Sequence, residues 1–360
     1  MDLLQHAFNQ ADLSPAQLVK LYDYDLYSLA EVAHAIRTQL HQDQVYFNTN
    51  RHINPSNICQ DSCKFCAFSA SRKNPNPYEM SHEQILEQIN QSYKRGIKEV
   101  HVVSAHNPHY SYEWYFDLFR KIKTHFAGLH LKAMTAAEVH FLSTKFNKPY
   151  EEVLENMAEA GVDSMPGGGA EIFDERIRKH ICNGKVSSKR WIEIHRYWHS
   201  LGKMSNATML FGHVENQLHR LDHMHRLKMA QSDLEKVKAK EGGFNAFIPL
   251  LYQRDNNFLK VERSPSAVEI LKTIAIARIV LFNIPHIKAY WATLGLNLAL
   301  VAQEFGADDL DGTIEVEMIQ SAGGAKSKRG INKEDLIYQI QDARFKPVER
   351  DSLYNPIQTW

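Results

Sequence analysis

From about residue 45 onward the chain alternates two hydrophobic patterns. Short runs of apolar and β-branched residues are separated by longer stretches in which apolar positions recur at three- and four-residue spacing, the mark of helices with one buried face. One unit shows the grammar. Ser81 and Gln84 stand at capping-box spacing, Ile85, Ile89 and Tyr93 recur every four residues, and Gly96 sits where the helix must end. The apolar run EVHVV then follows as a buried strand. The same punctuation recurs with HLKAM after Gly128, VDSM after Gly161, KMSNATML after Gly202, NAFIPL after Gly242-Gly243, HIKAYW after Pro285 and DLDGTIEV after Gly306.

With FNTNRHIN as the opening strand, about eight β units alternate with helical crossovers, which predicts an α/β fold with a parallel sheet closed as a (β/α)8 barrel of the TIM type. A doubly wound open sheet is the rival. It would announce a nucleotide site with GxGxxG after its first strand, and the sequence has no such run. Residues 1–44 read as a helical leader, with Leu18, Leu21, Leu26, Leu29 and Val32 on its apolar face, residues 45–320 as the barrel, and 321–360 as a closing cap. Three polar segments read as flexible: ASRKNPNPY after the cysteines, Gln231 to Gly243, and AGGAKSKRG.

Composition narrows the function. At 44% hydrophobic and 23% charged over 360 residues, the chain can bury a large core, which excludes collagen-like, disordered and small disulfide-scaffold readings. Its 42 basic residues balance 42 acidic ones, so nothing draws it to a phosphate backbone or an anionic bilayer, and neither nucleic acid nor membrane is an expected partner. The most apolar region, about 274–305, is interrupted by Arg278, Asn283, Pro285, His286 and Lys288 and cannot span a bilayer. The first residues carry no basic stretch leading into an apolar one, and the cysteines do not form a spread framework. A reducing cytoplasm is the expected location.

Three of the four cysteines, Cys59, Cys63 and Cys66, fall at x3 and x2 spacing just after the first strand, at the barrel end where chemistry gathers. Three thiolates so spaced can hold three irons of a four-iron cluster and leave the fourth iron open to an external chelator. A structural zinc completed by His52 or Cys182 is the alternative, but zinc knuckles present two separated ligand pairs and the chain has no second pair. Ordinary buried thiols would want apolar neighbours, which Asn57, Gln60, Asp61 and Lys64 do not supply. Cys182, beside Ile181, reads as a small buried residue.

This CxxxCxxC, with aromatic Phe65 before the last cysteine, resembles the signature of the radical S-adenosylmethionine (SAM) enzymes. The resemblance implies that Cys59, Cys63 and Cys66 hold a [4Fe-4S] cluster whose open iron chelates the amino and carboxylate groups of SAM. It implies that an external one-electron reductant, such as flavodoxin or ferredoxin, triggers cleavage of SAM to a 5'-deoxyadenosyl radical, with Phe65 near the adenine. NRHINPSNICQDSCKFCAF, SMPGGGAEIF and DGTIEVEMIQSAGGA are similar to the branch that serves the futalosine route to menaquinone and deazaflavin synthesis, and the likeness covers nearly the whole chain. The lead-in Asn50 to Pro55 is most similar to the members that act on a small molecule, an enolpyruvyl benzoate. Many superfamily members hold the SAM amino group with Gly-Gly-Glu or Gly-Gly after the second strand. Here the chain reads Ser104-Ala105-His106-Asn107-Pro108, which puts Ser104 and His106 at that place.

Further candidates follow from strand ends. Gly167, Gly168 and Gly169 allow close backbone approach to a ligand, and Glu171 beside them can accept hydrogen bonds from a ribose or an ammonium group. The alternative is a tight turn with a glutamate favoured in a first helical turn. Arg51 and His52 end the first strand, and Arg254 follows the sixth. Either arginine can grip a substrate carboxylate bidentately, with a surface ion pair as the alternative. Lys326, Lys328 and Arg329 read as a solvated loop.

Overall fold

The computed structural model describes residues 3–9, 13–236 and 242–360. The strands are β1 (Gln44–Asn48), β2 (Asn50–Ile53), β3 (Glu99–Val102), β4 (His130–Ala133), β5 (Ser164–Met165), β6 (Met204–Phe211), β7 (Gly243–Leu251), β8 (His286–Ile287), β9 (Asp309–Gly312), β10 (Lys346–Arg350) and β11 (Pro356–Thr359). Strands β2 to β8 form a seven-stranded sheet in sequence order, every neighbouring pair parallel. Helical crossovers join them, as the alternating pattern requires.

The eighth expected strand forms but does not join that sheet. β9 pairs with β1 in a four-stranded sheet of order β11-β10-β1-β9 and reaches the larger one through single bridges, Lys288 to Asp309 and Arg51 to Glu315. Two local causes are visible. The opening run is cut at Thr49, whose carbonyl accepts the Lys98 N–H at 2.8 Å, so that β1 turns to β9 and β10 while β2 pairs with β3. After Gly312 the run DLDGTIEV leaves extended geometry, with positive φ at Ile314 (45°) and Val316 (60°), so it cannot continue as a ladder strand. The result is a curled seven-stranded half-barrel.

The punctuation read from the sequence is present. Gln84 N–H donates to Ser81 Oγ at 3.3 Å while Ser81 N–H donates to Gln84 Oε1 at 2.8 Å, Ile85 and Ile89 are fully buried, and Gly96 takes φ +87°. The long leader helix, Leu26–His41, packs against the helix Ala267–Val280. Of the polar stretch Gln231 to Gly243, residues up to Lys236 are helical and Gly243 opens β7, while 237–241 lie outside the described residues. No helix among the described residues is long and apolar enough to cross a membrane.

Candidate active site

Strand register decides which side chains face the inside of the curl. On β2, side chains alternate, so His52 points inward and Arg51 outward. His52 is directly opposite His101 on β3, and His101 is opposite Lys132 on β4, which makes one polar row across three strands. The row lines a cavity of about 300 Å³ together with Glu99, Asp311, Tyr290 and Glu317. Two buried ion pairs lie in its floor, Lys132 Nζ to Glu99 Oε2 at 2.7 Å and Lys288 Nζ to Asp311 Oδ1 at 2.5 Å. The His52 and His101 rings meet edge to face at 4.8 Å, and both Nε2 atoms are buried without a hydrogen-bond partner among the described residues. Burial holds both imidazoles neutral, His101 down to about 3.

The cysteine loop closes one side of the cavity. Cys59, Cys63 and Cys66 are free thiols and partly exposed, and Cys66 and Phe65 line the cavity wall. Burial pushes the Cys59 and Cys63 thiols above their ordinary range, so without a metal they stay protonated. Three soft donors on one short loop, all partly exposed and with Cys66 on the cavity wall, fit an iron–sulfur cluster with one free iron. The loop is anchored from β3's far end. His106 Nδ1 lies 2.9 Å from Asp61 Oδ2, its carbonyl accepts the Gln60 N–H at 3.0 Å, and its ring stacks on Phe141 at 5.0 Å. His106 therefore braces the cluster loop. Ser104 N–H donates to Glu138 Oε1 at 2.9 Å, leaving its hydroxyl buried, without a partner among the described residues, on the cavity wall.

Gly167, Gly168 and Gly169 line the cavity, and their small size has a packing reason. A Cβ on Gly167 would sit 2.7 Å from the Asn206 carbonyl oxygen of β6, and one on Gly168 would sit 2.7 Å from Thr135 Cγ2. Gly169 takes φ +89° and Glu171 φ +47°, which turns the Glu171 carboxylate into the cavity instead of onto a helix. There Glu171 Oε1 meets Lys185 Nζ at 2.7 Å. Burial pushes the Glu171 carboxyl up, but Lys185 outweighs it and holds it below the usual glutamate value. The Lys185 ammonium also stands over the Phe65 ring, 5.6 Å from its centroid, and next to Cys63.

Two expected carboxylate clamps are elsewhere. Arg51 Nη2 donates to Gln88 Oε1 at 3.0 Å and Arg51 Nη1 lies 4.0 Å from Glu315, outside the curl, because its neighbour His52 takes the inward position. Arg254 is exposed in an outer groove with Lys326 and Lys328, which adjoins the cavity at Tyr252, Gln253 and Gly323, and it does not line the cavity itself. Sequence reading passed over His101, Lys132 and Lys185. The first two share a strand pattern of inward polar residues in otherwise apolar runs, a signal of a lined cavity. Lys185 carries no local signal. Cys182, remote from the other thiols in sequence, is brought beside Cys63 and Lys185 by the Lys64 N–H to Ile181 carbonyl bond of 2.8 Å.

A parallel half-barrel with three cysteines on the loop after its first strand and a cavity beside them defines a class. The chain belongs to the radical SAM superfamily, whose profile matches residues 53–227, and residues 241–359 match the CofH/MqnC C-terminal region. It is 40% identical to the aminodeoxyfutalosine synthase of Thermus thermophilus, covering 95% of this chain and 91% of that one. It is 33% identical to the cyclic dehypoxanthine futalosine synthase of Streptomyces coelicolor, covering 98% and 87%. The solved structure of methylornithine synthase shares the fold, with a TM-score of 0.75 at 17% identity, covering 96% of this chain and 97% of that one. Radical SAM enzymes use a [4Fe-4S] cluster and SAM, and Cys59, Cys63 and Cys66 fit the cluster motif.

Proposed function

We propose that the chain is an aminodeoxyfutalosine synthase, joining the adenosyl carbon of SAM to 3-[(1-carboxyvinyl)oxy]benzoate with loss of the carboxyl carbon, to give 6-amino-6-deoxyfutalosine for menaquinone formation in the cytoplasm. The observation that carries the reading is the likeness to the Thermus enzyme along nearly the whole chain. Cys59, Cys63 and Cys66 would hold the cluster, and Phe65, Ser104, Gly167 to Gly169, Glu171 and Lys185 form the SAM side of the cavity. When bound and reduced by one electron, cluster and SAM together supply a primary carbon radical.

What the chain's own residues must do follows from that reactivity. A primary carbon radical strips hydrogen from almost any neighbour, so the target must be aligned before the radical forms. Glu171 and Lys185 offer a carboxylate and an ammonium at one spot, complementary to the ammonium and carboxylate of an amino acid. At the opposite end, His52 and His101 offer two buried Nε2 atoms for a substrate carboxylate, in place of the arginines that lie outside. His106 keeps the cysteine loop in register with both ends. The cyclase reading draws on the Streptomyces relative and differs in outcome, since hydrogen abstraction leaves adenine outside the product. Incubating reduced enzyme and SAM separately with the enolpyruvyl benzoate and with dehypoxanthine futalosine tests the choice. Turnover of the benzoate supports the synthase, and turnover of dehypoxanthine futalosine alone overturns it.

A further inference from the structure

A groove of about 1310 Å³ opens on the outside of the fold beside the cavity, and the two share Tyr252, Gln253 and Gly323. One glycine-rich segment runs between them. Its residues Ile319 and Gln320 line the cavity, Gly323 lines both, and Lys326 and Lys328 line the groove. Hydrogen bonds fix its course: Asp255 N–H donates to the Gly323 carbonyl at 2.9 Å, Asn256 Nδ2 to the Ala322 carbonyl at 3.0 Å, and Ser327 Oγ to the Trp291 carbonyl at 3.1 Å. Gly323 has an ordinary φ of −79°, so what calls for glycine there is space, since a Cβ would stand 2.9 Å from Gln253 Cβ. At this point the boundary between groove and cavity is one stretch of backbone lying on one side-chain stem.

The groove has the chemistry of an anion site. Arg254, Lys326 and Lys328 are exposed along it, and none has a carboxylate within 4.0 Å among the described residues. Two carboxylates also line it, and both have local work. Asp335 Oδ2 accepts Asn332 Nδ2 at 2.8 Å in the first turn of a helix, and the Asp255 carboxylate packs against Gly324. The walls between the charges are apolar, with Leu294, Leu296 and Ile331 and with the Tyr338 ring, which is 62% exposed. Unpaired cations on such a wall suit a small molecule that is anionic at its ends and aromatic in its body.

We propose that the groove is an outer binding site for a small aromatic dicarboxylate, the substrate, which passes from it into the cavity over Gln253 and Gly323. The inference deepens the function proposed above and rests on that reading for the identity of the substrate, a benzene ring with two carboxylates. SAM on the cysteine-loop side leaves the side at Gln253 open to the second substrate. Free cations at that mouth raise the local concentration of an anion and its rate of entry. Inside, His52 and His101 receive one carboxylate.

The test uses cluster-loaded protein and two variants, Lys326→Gln/Lys328→Gln in the groove and His101→Ala in the cavity. One arm measures binding of benzene-1,3-dicarboxylate by equilibrium dialysis, without SAM, at low and at physiological ionic strength. Unmodified protein is expected to bind it, more weakly as salt rises, and the groove variant is expected to lose tenfold or more and most of the salt dependence. His101→Ala should keep the salt-dependent binding. The second arm is steady-state kinetics with the enolpyruvyl benzoate, where the groove variant should raise its KM at least tenfold with kcat within about twofold and with the KM for SAM unchanged. Absence of binding to the unmodified protein, unchanged binding or unchanged KM in the groove variant, an equal rise in the KM for SAM, or a loss of binding confined to His101→Ala would overturn the outer site. Salt-sensitive binding that the groove variant loses and His101→Ala keeps, in a protein that turns over no enolpyruvyl benzoate, would uphold the groove as an anion site and overturn the synthase reading.

Discussion

Glu171 Oε1 and Lys185 Nζ meet at 2.7 Å, and this contact ties the glycine turn after β5 to the residue that stands over Phe65 and beside Cys63. Both side chains are largely buried, 11% and 15% exposed, so neither charge is well solvated without the other. A pair placed between the cysteine loop and the cavity links fold stability to ligand binding.

Removing one partner should therefore separate two effects. Glu171→Gln leaves Lys185 buried and uncompensated, at a cost on the order of 3 kcal/mol of stability. Turnover should fall at least tenfold while four irons per chain are retained. The double variant Glu171→Gln/Lys185→Met should recover most of the thermal stability and none of the turnover. Recovery of both would make the pair a structural element only.

Inward and outward neighbours on β2 and β3 should behave differently. His101→Ala removes one of the two free Nε2 atoms in the cavity, and a tenfold or larger rise in KM for the enolpyruvyl benzoate is expected, with SAM affinity unchanged. Arg51→Gln should leave KM and kcat within about twofold, because Arg51 serves Gln88 and Glu315 outside the curl. Steady-state kinetics on the two variants decides this, and a KM effect confined to Arg51→Gln would contradict the orientation of the row.

Much of this arrangement was legible in the sequence because it is written locally. Capping residues, four-residue apolar spacing and terminal glycines marked the helices between the strands, and three cysteines inside eight residues marked the metal site without any tertiary knowledge. What stayed hidden depends on register and on distant pairing. Whether Arg51 or His52 faces inward is a matter of strand phase, which a run of mixed polar residues does not fix. That Lys185 would reach Glu171, or that β9 would pair with β1, depends on loops whose positive φ angles fall at Ile314, Val316 and Glu171, residues with no preference for that geometry.

The cysteines give a direct analytical expectation. Alanine at Cys59, Cys63 or Cys66 should abolish the cluster's visible absorbance and bring iron close to zero. Cys182→Ala should keep four irons per chain, although the fold sets Cys182 beside Cys63. Iron and sulfide analysis after anaerobic reconstitution checks this, and loss of iron on replacing Cys182 would make it a ligand.

Acid should weaken the fold earlier than its carboxylates require. Burial pushes His41 and His130 down to about 4 and His101, His199 and His223 to about 3, from an ordinary value of 6.5. Below pH 6.5 the unfolded chain binds protons that the folded chain refuses, so the stability these groups provide is complete above that pH and is lost as pH falls toward 4 and then 3. Each contributes a slope of up to about 1.4 kcal/mol per pH unit within that window. Anaerobic urea unfolding at pH 7.5, 6.5 and 5.5 should show little change over the first interval and a clear loss over the second. Equal stability at 6.5 and 5.5 would contradict the neutral buried state of these imidazoles.

The most direct test follows the fate of adenine. Reduced enzyme is mixed with SAM labelled in its adenine ring and with 3-[(1-carboxyvinyl)oxy]benzoate, and products are separated while released bicarbonate is measured. The expected result is label in a new adduct that retains adenine, formed one for one with bicarbonate and with SAM consumed. Label found only in free 5'-deoxyadenosine, with no adenine-bearing adduct, would contradict the synthase assignment.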